Sequence, residues 1–309
     1  MKIAHLSDLH ICSKFKRENI IKTKKLIRHA IEQGVDHFVI TGDISDNAQE
    51  KDFLILRKIL ETYKLLSADK TSIIIGNHDI FGGVHTVSDV INFPSKCANT
   101  NYKEKVTKFF KYFKELFENA IFPSEESPFP YVKVLKDVVL IGMNSIDTYS
   151  KLKNPFASNG HVSKIERENL KKIFDEYEFP NKMKIAMVHH HFYNKNIPSK
   201  SSENSLWNRI EKFTMKLRGK KKLLKLFSEI GISLVLHGHS HEIKEYHRKG
   251  IMFLNAGGSI DNETADETGL FIIETNNLGY MVNLDLLKVN SNEVQAHTFV
   301  DSLAPSFAQ

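Results

Sequence analysis

Ser72-Ile73-Ile74-Ile75-Gly76-Asn77-His78-Asp79 is an apolar run that stops at a glycine and passes directly into an amide, an imidazole and a carboxylate. The run reads as a buried strand, so the polar residues sit where the chain leaves a sheet. Upstream the same arrangement occurs twice. Lys2–Leu6 reads as a strand entering Asp8-Leu9-His10, and residues 37–40 as a strand entering Thr41-Gly42-Asp43-Ile44-Ser45-Asp46. Residues 18–33 between them carry helical spacing through Ile20, Ile21, Lys24, Ile27 and Ile31, with Gly34 placed to end the helix. Residues 51–63 put Leu56, Ile59 and Leu60 on one helical face. Strand–helix units in succession predict right-handed crossovers and a parallel sheet whose C-terminal edge gathers these motifs.

The second half repeats the scheme. Residues 184–188 read as a strand ending at His189-His190-His191, and residues 232–236 as a strand ending at His237, just before Gly238-His239-Ser240-His241. Further strands are expected at 251–254, 270–274 and 280–288. The middle is less regular. Residues 82–101 read as loop, and 102–119 as an amphipathic helix with Val106, Phe109, Phe110, Phe113, Leu116 and Phe117 on one side. That aromatic stripe reads as core packing. Residues 131–135 and 138–143 flank Lys136-Asp137 as a hairpin, and 164–177 form another helix. There is no tandem repeat and no low-complexity segment.

Each motif has a bland reading. Asp-x-His is frequent by chance, and Gly-Asp and Gly-Asn are turn chemistry. As chemistry, Asp8 and His10 stand two apart on a segment expected to be extended, where their side chains face the same way. Asp43 has two oxygens and can bridge two ions. Asn77 offers a neutral oxygen, and Gly76 permits close backbone approach. Two imidazoles around the small Ser240 are the strongest local signal. His237 reads as a core group or a neighbour of the ligands. In the triple-histidine run, His189 and His191 share a facing and His190 has the opposite one.

The chain has 309 residues, 41% hydrophobic and 26% charged, which suits a sizeable α/β core. No stretch approaches the ~20 apolar residues that span a membrane. Ile3–Leu6 runs straight into Asp8, so the sequence reads as lacking a signal peptide and as cytoplasmic. Two cysteines, Cys12 and Cys97, give neither a disulfide framework nor a thiolate metal site. The net charge of +6 fits an anionic substrate or a weak affinity for anionic surfaces; no stable nucleic-acid partner is expected from it. The oligomeric state is not legible.

In this order the motifs resemble the calcineurin-like dinuclear metallophosphoesterases. The resemblance implies a four-layer αββα fold, a two-sheet β-sandwich flanked by helices. The domain is expected over residues 1–290, with 194–231 as an insert and 291–309 as a C-terminal tail. It implies two divalent or mixed-valence ions (Mn, Fe or Zn). One is held by Asp8, His10, Asp43 and His241, the other by Asp43, Asn77, His189 and His239, with Asp43 bridging. His189 is favoured because the family's ligand is the first histidine after the strand. The family often has prolines after it; here Phe192-Tyr193 follow. Hydrolysis by a metal-activated hydroxide is implied, with His78 as general acid and Asp46 as the carboxylate that orients it. Asp79 is a second candidate for that orienting role, or a turn cap.

Asn144-Ser145-Ile146-Asp147 and the loop Pro155-Phe156-Ala157-Ser158-Asn159-Gly160 resemble the bacterial phosphodiesterase branch. They imply a small nucleotide-type phosphodiester substrate. A second reading rests on the insert, with Trp207 and the basic run Lys220-Lys221-Lys222 ahead of Leu223, Leu226, Phe227 and Ile230. A basic amphipathic helix can lie on an anionic membrane, as would suit a lipid-linked UDP-sugar pyrophosphatase. The same stripe can equally pack on the sheet. A non-catalytic scaffold is a third class, disfavoured because every expected ligand is present.

Overall fold

The computed structural model describes every residue except 15, 85–86, 125–126, 194–214, 261–265, 277–278, 291–292 and 300–309. The first sheet is built from the strands predicted at the N-terminus. β1 (Lys2–Leu6), β2 (His37–Thr41) and β3 (Thr71–Ile74) run parallel, joined by α1 (Arg17–Glu32) and α2 (Glu50–Thr62). On its other side β1 pairs antiparallel with β12 (Glu267–Asn276), followed by β13 (Gly279–Lys288) and β14 (Val294–Phe299). In the second sheet β5 (Val138–Gly142), β7 (Met183–Met187), β9 (Leu234–His237) and β11 (Ile251–Ala256) are parallel neighbours. Its antiparallel edges are β4 (Tyr131–Val134) and β10 (Ile243–Arg248). The short β6 (Gly160–His161) and β8 (Leu217–Arg218) form a separate parallel pair, and the one-turn α3 (Asn77–Ile80) follows β3.

Alternation along the second sheet makes the sandwich. Val138 and Leu140 on β5, Ile185 and Met187 on β7, and Leu234 and Leu236 on β9 join one core with Ile3, Ile73 and Phe271 of the first sheet. Their neighbours Val139, Ile141, Ala186 and Val235 face away, into a second core. Leu170 and Ile173 of α6 (Lys164–Glu176) and Leu223, Leu224 and Phe227 of α7 (Lys220–Glu229) close that core. Strands buried on both faces are mostly apolar, which is why they were legible as near-continuous runs. The two-sheet architecture is the expected one.

Several local expectations fail, each for a physical reason. Residues 82–101 are not all loop: α4 (Val87–Ala98) forms with Pro94 inside it. Proline removes one helical hydrogen bond, but Phe93 and Cys97, one turn apart, are buried by the helix. The 102–119 helix stops early. It divides into α5 (Tyr102–Tyr112) and a 3₁₀ turn, Lys114–Phe117, and the two parts together bury Phe109, Phe113, Leu116 and Phe117. β10 went unpredicted because an edge strand is only half buried and carries charge in place of an apolar run. β14 lies inside the segment set apart as a tail beyond residue 290, yet it pairs with β13 from Leu287↔Val294 to Val282↔Phe299. The chain after Phe299 lies outside the described residues.

Ser163 caps α6 by accepting from the Glu166 N–H, as a Ser-x-x-Glu start predicts. The Glu166 carboxyl turns inward and accepts from the Asn144 N–H at 2.7 Å, tying α6 to the chain that leaves β5. Burial pushes its pKa up to about 8 from 4.5. Between those values the folded protein holds a proton that the unfolded chain has released. The stabilisation is therefore complete below the unfolded pKa and is lost as pH rises through the folded one. Glu166→Gln, which keeps the acceptor, should flatten this decline in urea-unfolding series from acidic to alkaline pH. An unchanged slope would mean that Glu166 does not carry it.

Candidate metal centre

Asp8, Asp43 and Asn77 follow the C-terminal ends of β1, β2 and β3, and His189 and His239 follow those of β7 and β9. Backbone bonds lock the exits together: Asp8 N–H to Gly42 O, His10 N–H to Asp43 O, and Gly238 N–H to His189 O. The exits are not extended. Asp8 (φ 53°), His10 (φ 42°), Asp43 (φ 50°), His239 (φ 74°) and His241 (φ 50°) all adopt left-handed backbone. The period-two argument for Asp8 and His10 is thereby corrected; they converge because both residues turn back. Left-handed backbone costs roughly 1–2 kcal/mol per residue outside glycine. Such strain persists only where the surroundings over-determine it, as they do in functional sites.

The glycines explain how these exits approach. A Cβ on Gly76 would lie 2.1 Å from Asp43 Oδ1, and one on Gly238 would lie 2.1 Å from Asp8 Oδ2. Gly76 has extended backbone, φ −110° and ψ 174°, so packing and not conformation demands glycine there.

Three groups of donors form among the described residues. Donor atoms of Asp43, His189 and His239 cluster in one, those of Asp8, His10 and His241 in a second, and those of His10, Asp46 and His78 in a third. Nearly all are fully buried; His241 is the more open member. His189 Nδ1 lies 2.8 Å from the Thr41 carbonyl, which can only accept, so Nδ1 carries the hydrogen. The Nε2 of the neutral ring is then a lone pair. It faces Asn77 Oδ1 at 3.1 Å and Asp43 Oδ2 at 3.2 Å. In the second group His10 Nε2 and His241 Nε2 stand 3.2 Å apart, with Asp8 Oδ1 behind them. Lone pairs held this close need a cation among them, either a proton or a metal ion.

The electrostatics say the same. Burial alone would lower the pKa of His10, but Asp46, Asp43 and Asp8 outweigh it and raise it to about 9. His189 is likewise raised to about 9 against its burial, chiefly by Asp43. Burial opposes ionisation of Asp43, yet His189, His78 and His10 hold it well below the usual carboxylate range. The residues present therefore fit a pair of cations, and mixed nitrogen and oxygen donors without thiolate suit Mn, Fe or Zn.

The surrounding residues divide the orienting roles differently from expectation. His78 Nδ1 donates to the backbone carbonyl of Asp46 at 3.1 Å, while the Asp46 carboxylate is 4.0 Å away. That carboxylate lies closer to His10 Nδ1, at 3.3 Å. Asp46 thus orients His78 through its main chain and His10 through its side chain. Asp79 does not orient His78. Its two oxygens accept from Ser45 N–H and Gly76 N–H, both at 2.8 Å, which fastens the β3 exit to the β2 exit. Burial, reinforced by Asp43, raises its pKa to about 7. His237 is buried in β9 and receives the Tyr246 hydroxyl on Nε2.

The triple-histidine run separates cleanly. His189 faces Asp43 and Asn77. His191 stacks on Tyr193, with ring centroids 4.4 Å apart. His190 turns to Ser145 and Ser158. Sequence reasoning tied the segments of Ser145 and Ser158 to the substrate class and not to these histidines; Ser158 acts through its carbonyl, which has no residue signature.

A model of the calcineurin-like phosphoesterase family matches residues 1–242. The chain belongs to this family. It is a phosphoester hydrolase of a class that works with paired metal ions. Among solved structures, a dimetal phosphatase from Danio rerio is similar with a TM-score of 0.55 and 7% sequence identity, over 97% of this chain and 99% of that one. GAP50, the anchor in the inner membrane complex of Plasmodium, is similar with a TM-score of 0.52 and 14% identity, over 96% of this chain and 88% of that one. At such identities the likeness shows the fold. No curated protein matches the sequence.

Because only a glycine hydrogen fits beside Asp43, Gly76→Ala should displace that carboxylate. The phosphoesterase should then lose most bound metal, and at least about 10²-fold in turnover, since small misplacements have that effect. Metal analysis beside circular dichroism checks this; full metal content in a folded variant would contradict it.

Proposed function

We propose that this phosphoesterase hydrolyses a small, nucleotide-type phosphodiester. Asp8, His10, Asp43 and His241 would hold one ion, and Asp43, Asn77, His189 and His239 the other, with Asp43 shared. When bound, the ions supply positive charge to the phosphoryl oxygens and activate the attacking water. His78 supplies the acid. Its Nδ1–H is committed to the Asp46 carbonyl, so Nε2 is the nitrogen left to give a proton to the leaving oxygen. Its ring stands against His10, with centroids 4.7 Å apart, and its side chain is partly exposed, at the rim of the donor cluster.

The reading of a small diester rests on the wall formed by residues 144–161. That segment folds directly against the centre, with the Ser158 carbonyl 3.1 Å from His239 Nε2. A wall so close favours a compact ester over a phosphorylated protein surface. The membrane reading loses support in α7. Its apolar residues Leu223, Leu224, Leu226 and Phe227 are buried, while Lys221, Lys222 and Lys225 face outward. The helix therefore offers charge to the solvent, without an apolar face for a bilayer. Trp207 and the rest of 194–214 lie outside the described residues. Among the described residues no helix is long and apolar enough to cross a membrane.

A metal-supplemented screen of bis-p-nitrophenyl phosphate, p-nitrophenyl phosphate, cyclic nucleotides, UDP-sugars and single-stranded DNA tests the substrate class. Diesters should be cleaved faster than the monoester; preference for the monoester, or for UDP-sugars, would reject the reading. His78→Ala should retain metal and lose ~10²–10⁴-fold in turnover on alkyl esters, the usual range for a positioned acid. The loss should shrink for nitrophenyl leaving groups, which need no proton. Equal losses on both would remove the acid role and leave phosphate positioning.

A further inference from the structure

His190 follows the candidate ligand His189 in the sequence and has no part in the mechanism above. It is nevertheless fully buried against the centre, its ring centroid 4.2 Å from that of His239 and 5.3 Å from that of His189. Both of its ring nitrogens are engaged. Nε2 lies 3.2 Å from the Ser158 carbonyl and Nδ1 lies 2.8 Å from Ser145 Oγ. His239 Nε2 reaches the same Ser158 carbonyl at 3.1 Å.

The hydrogens follow from the acceptor. A carbonyl oxygen has lone pairs and no proton, so each nitrogen facing it must be N–H. His190 is then the Nε2–H tautomer, and its Nδ1 accepts from the Ser145 hydroxyl. His239 is also Nε2–H, which leaves Nδ1 as its only lone pair for an ion. Two imidazole donors on one oxygen fill both lone pairs and fix its direction. The chain of donation runs from Ser145 to His190 to Ser158 O, where it meets the donation from His239.

We infer that Ser145, His190 and the Ser158 carbonyl form a positioning relay, which fixes the tautomer and aim of His239 and so sets the affinity of one of the two ions. Partners of this kind behind a metal-binding histidine typically change affinity by 10–100-fold when removed. The surroundings are shaped for the relay. A Cβ on Gly160 would lie 2.4 Å from His190 Cγ, so only glycine lets the ring lie there. The backbone N–H of His190 also donates to Ser145 Oγ at 3.3 Å, holding the hydroxyl from the other side. The carbonyl itself is braced: Asn159 N–H donates to Asn154 Oδ1 at 3.0 Å, and Gly160 N–H donates to Lys216 O at 2.9 Å. Because neither His190 nitrogen is available, His190 is a positioning residue and not a third ligand.

The inference rests on the paired-ion reading and is independent of the substrate. Its test is cobalt binding to the full chain, followed by metal analysis and by the visible absorption of the cobalt protein, with no substrate present. His190→Phe keeps an aromatic ring and removes both nitrogens. It should bind one ion as the parent does and the other about 10–100-fold more weakly, with an altered cobalt spectrum. His190→Gln, whose amide can donate to the carbonyl, should restore much of the affinity. A merely structural role would lower the melting temperature in both variants and leave both affinities alone. Parental affinity for both ions in His190→Phe would overturn the relay. Should that variant fail to fold, Ser145→Ala decides: it removes only a hydroxyl, and weakened binding of one ion supports the relay while unchanged binding overturns it. If the parent itself binds a single ion, the paired-ion reading fails, and the relay with it. If the parent binds two ions but cleaves no diester, only the substrate proposal fails.

Discussion

The Asp43 carboxylate is where the two sheets of this protein meet electrostatically. Its Oδ1 accepts from the His78 N–H at 2.8 Å, within the first sheet's own exits. Its Oδ2 faces His189 Nε2, which arrives from the second sheet. A fully buried carboxylate is unfavourable unless cations and hydrogen bonds compensate it. The compensation comes from both sheets at once, so the sandwich has to close before this charge is tolerable. A buried cluster of that sort is weak evidence for stability and strong evidence for a purpose. Here the left-handed backbone at Asp8, His10, Asp43, His239 and His241 adds strain that the hydrophobic core must offset.

The supporting shell divides by sheet. On the first, Asp79 bolts the β3 exit to the β2 exit, and Asp46 reaches His10 with its carboxylate and His78 with its carbonyl. These bonds join the candidate acid to a candidate ligand through a single residue. On the second sheet, His190 and the Ser158 carbonyl stand behind His239. The chain that carries Ser158 continues into Gly160 and His161, which pair with Leu217 and Arg218 just before α7.

Much of this was legible in order of burial. β1, β2, β3, β7 and β9 are apolar runs because both faces are covered, and each run points at its motif. β10 and β14 were silent because an edge strand needs no apolar alternation. α4 was hidden by Pro94, whose lost hydrogen bond is outweighed by the burial of Phe93 and Cys97. In the centre, the side chains that converge were all visible as residue types. The histidine of three that faces Asp43, His189, was legible only through the family resemblance; what could not be read was whether Asp46 acts through its carboxylate or its carbonyl.

The sequence by itself determined the ligand chemistry and its place at strand ends, since donor types and buried strands are properties of residues near one another along the chain. It also pointed to the family, through motifs that resemble the family's and lie within the residues that the family model matches. Only the tertiary structure decided how those donors face. The exits turn into left-handed backbone, the glycines clear space for carboxylates from neighbouring strands, and a main-chain carbonyl orients two imidazoles. Each of these depends on atoms brought together across tens or hundreds of residues. Main-chain carbonyls are also the same in every residue, so no reading of side-chain types could have found the one at Ser158.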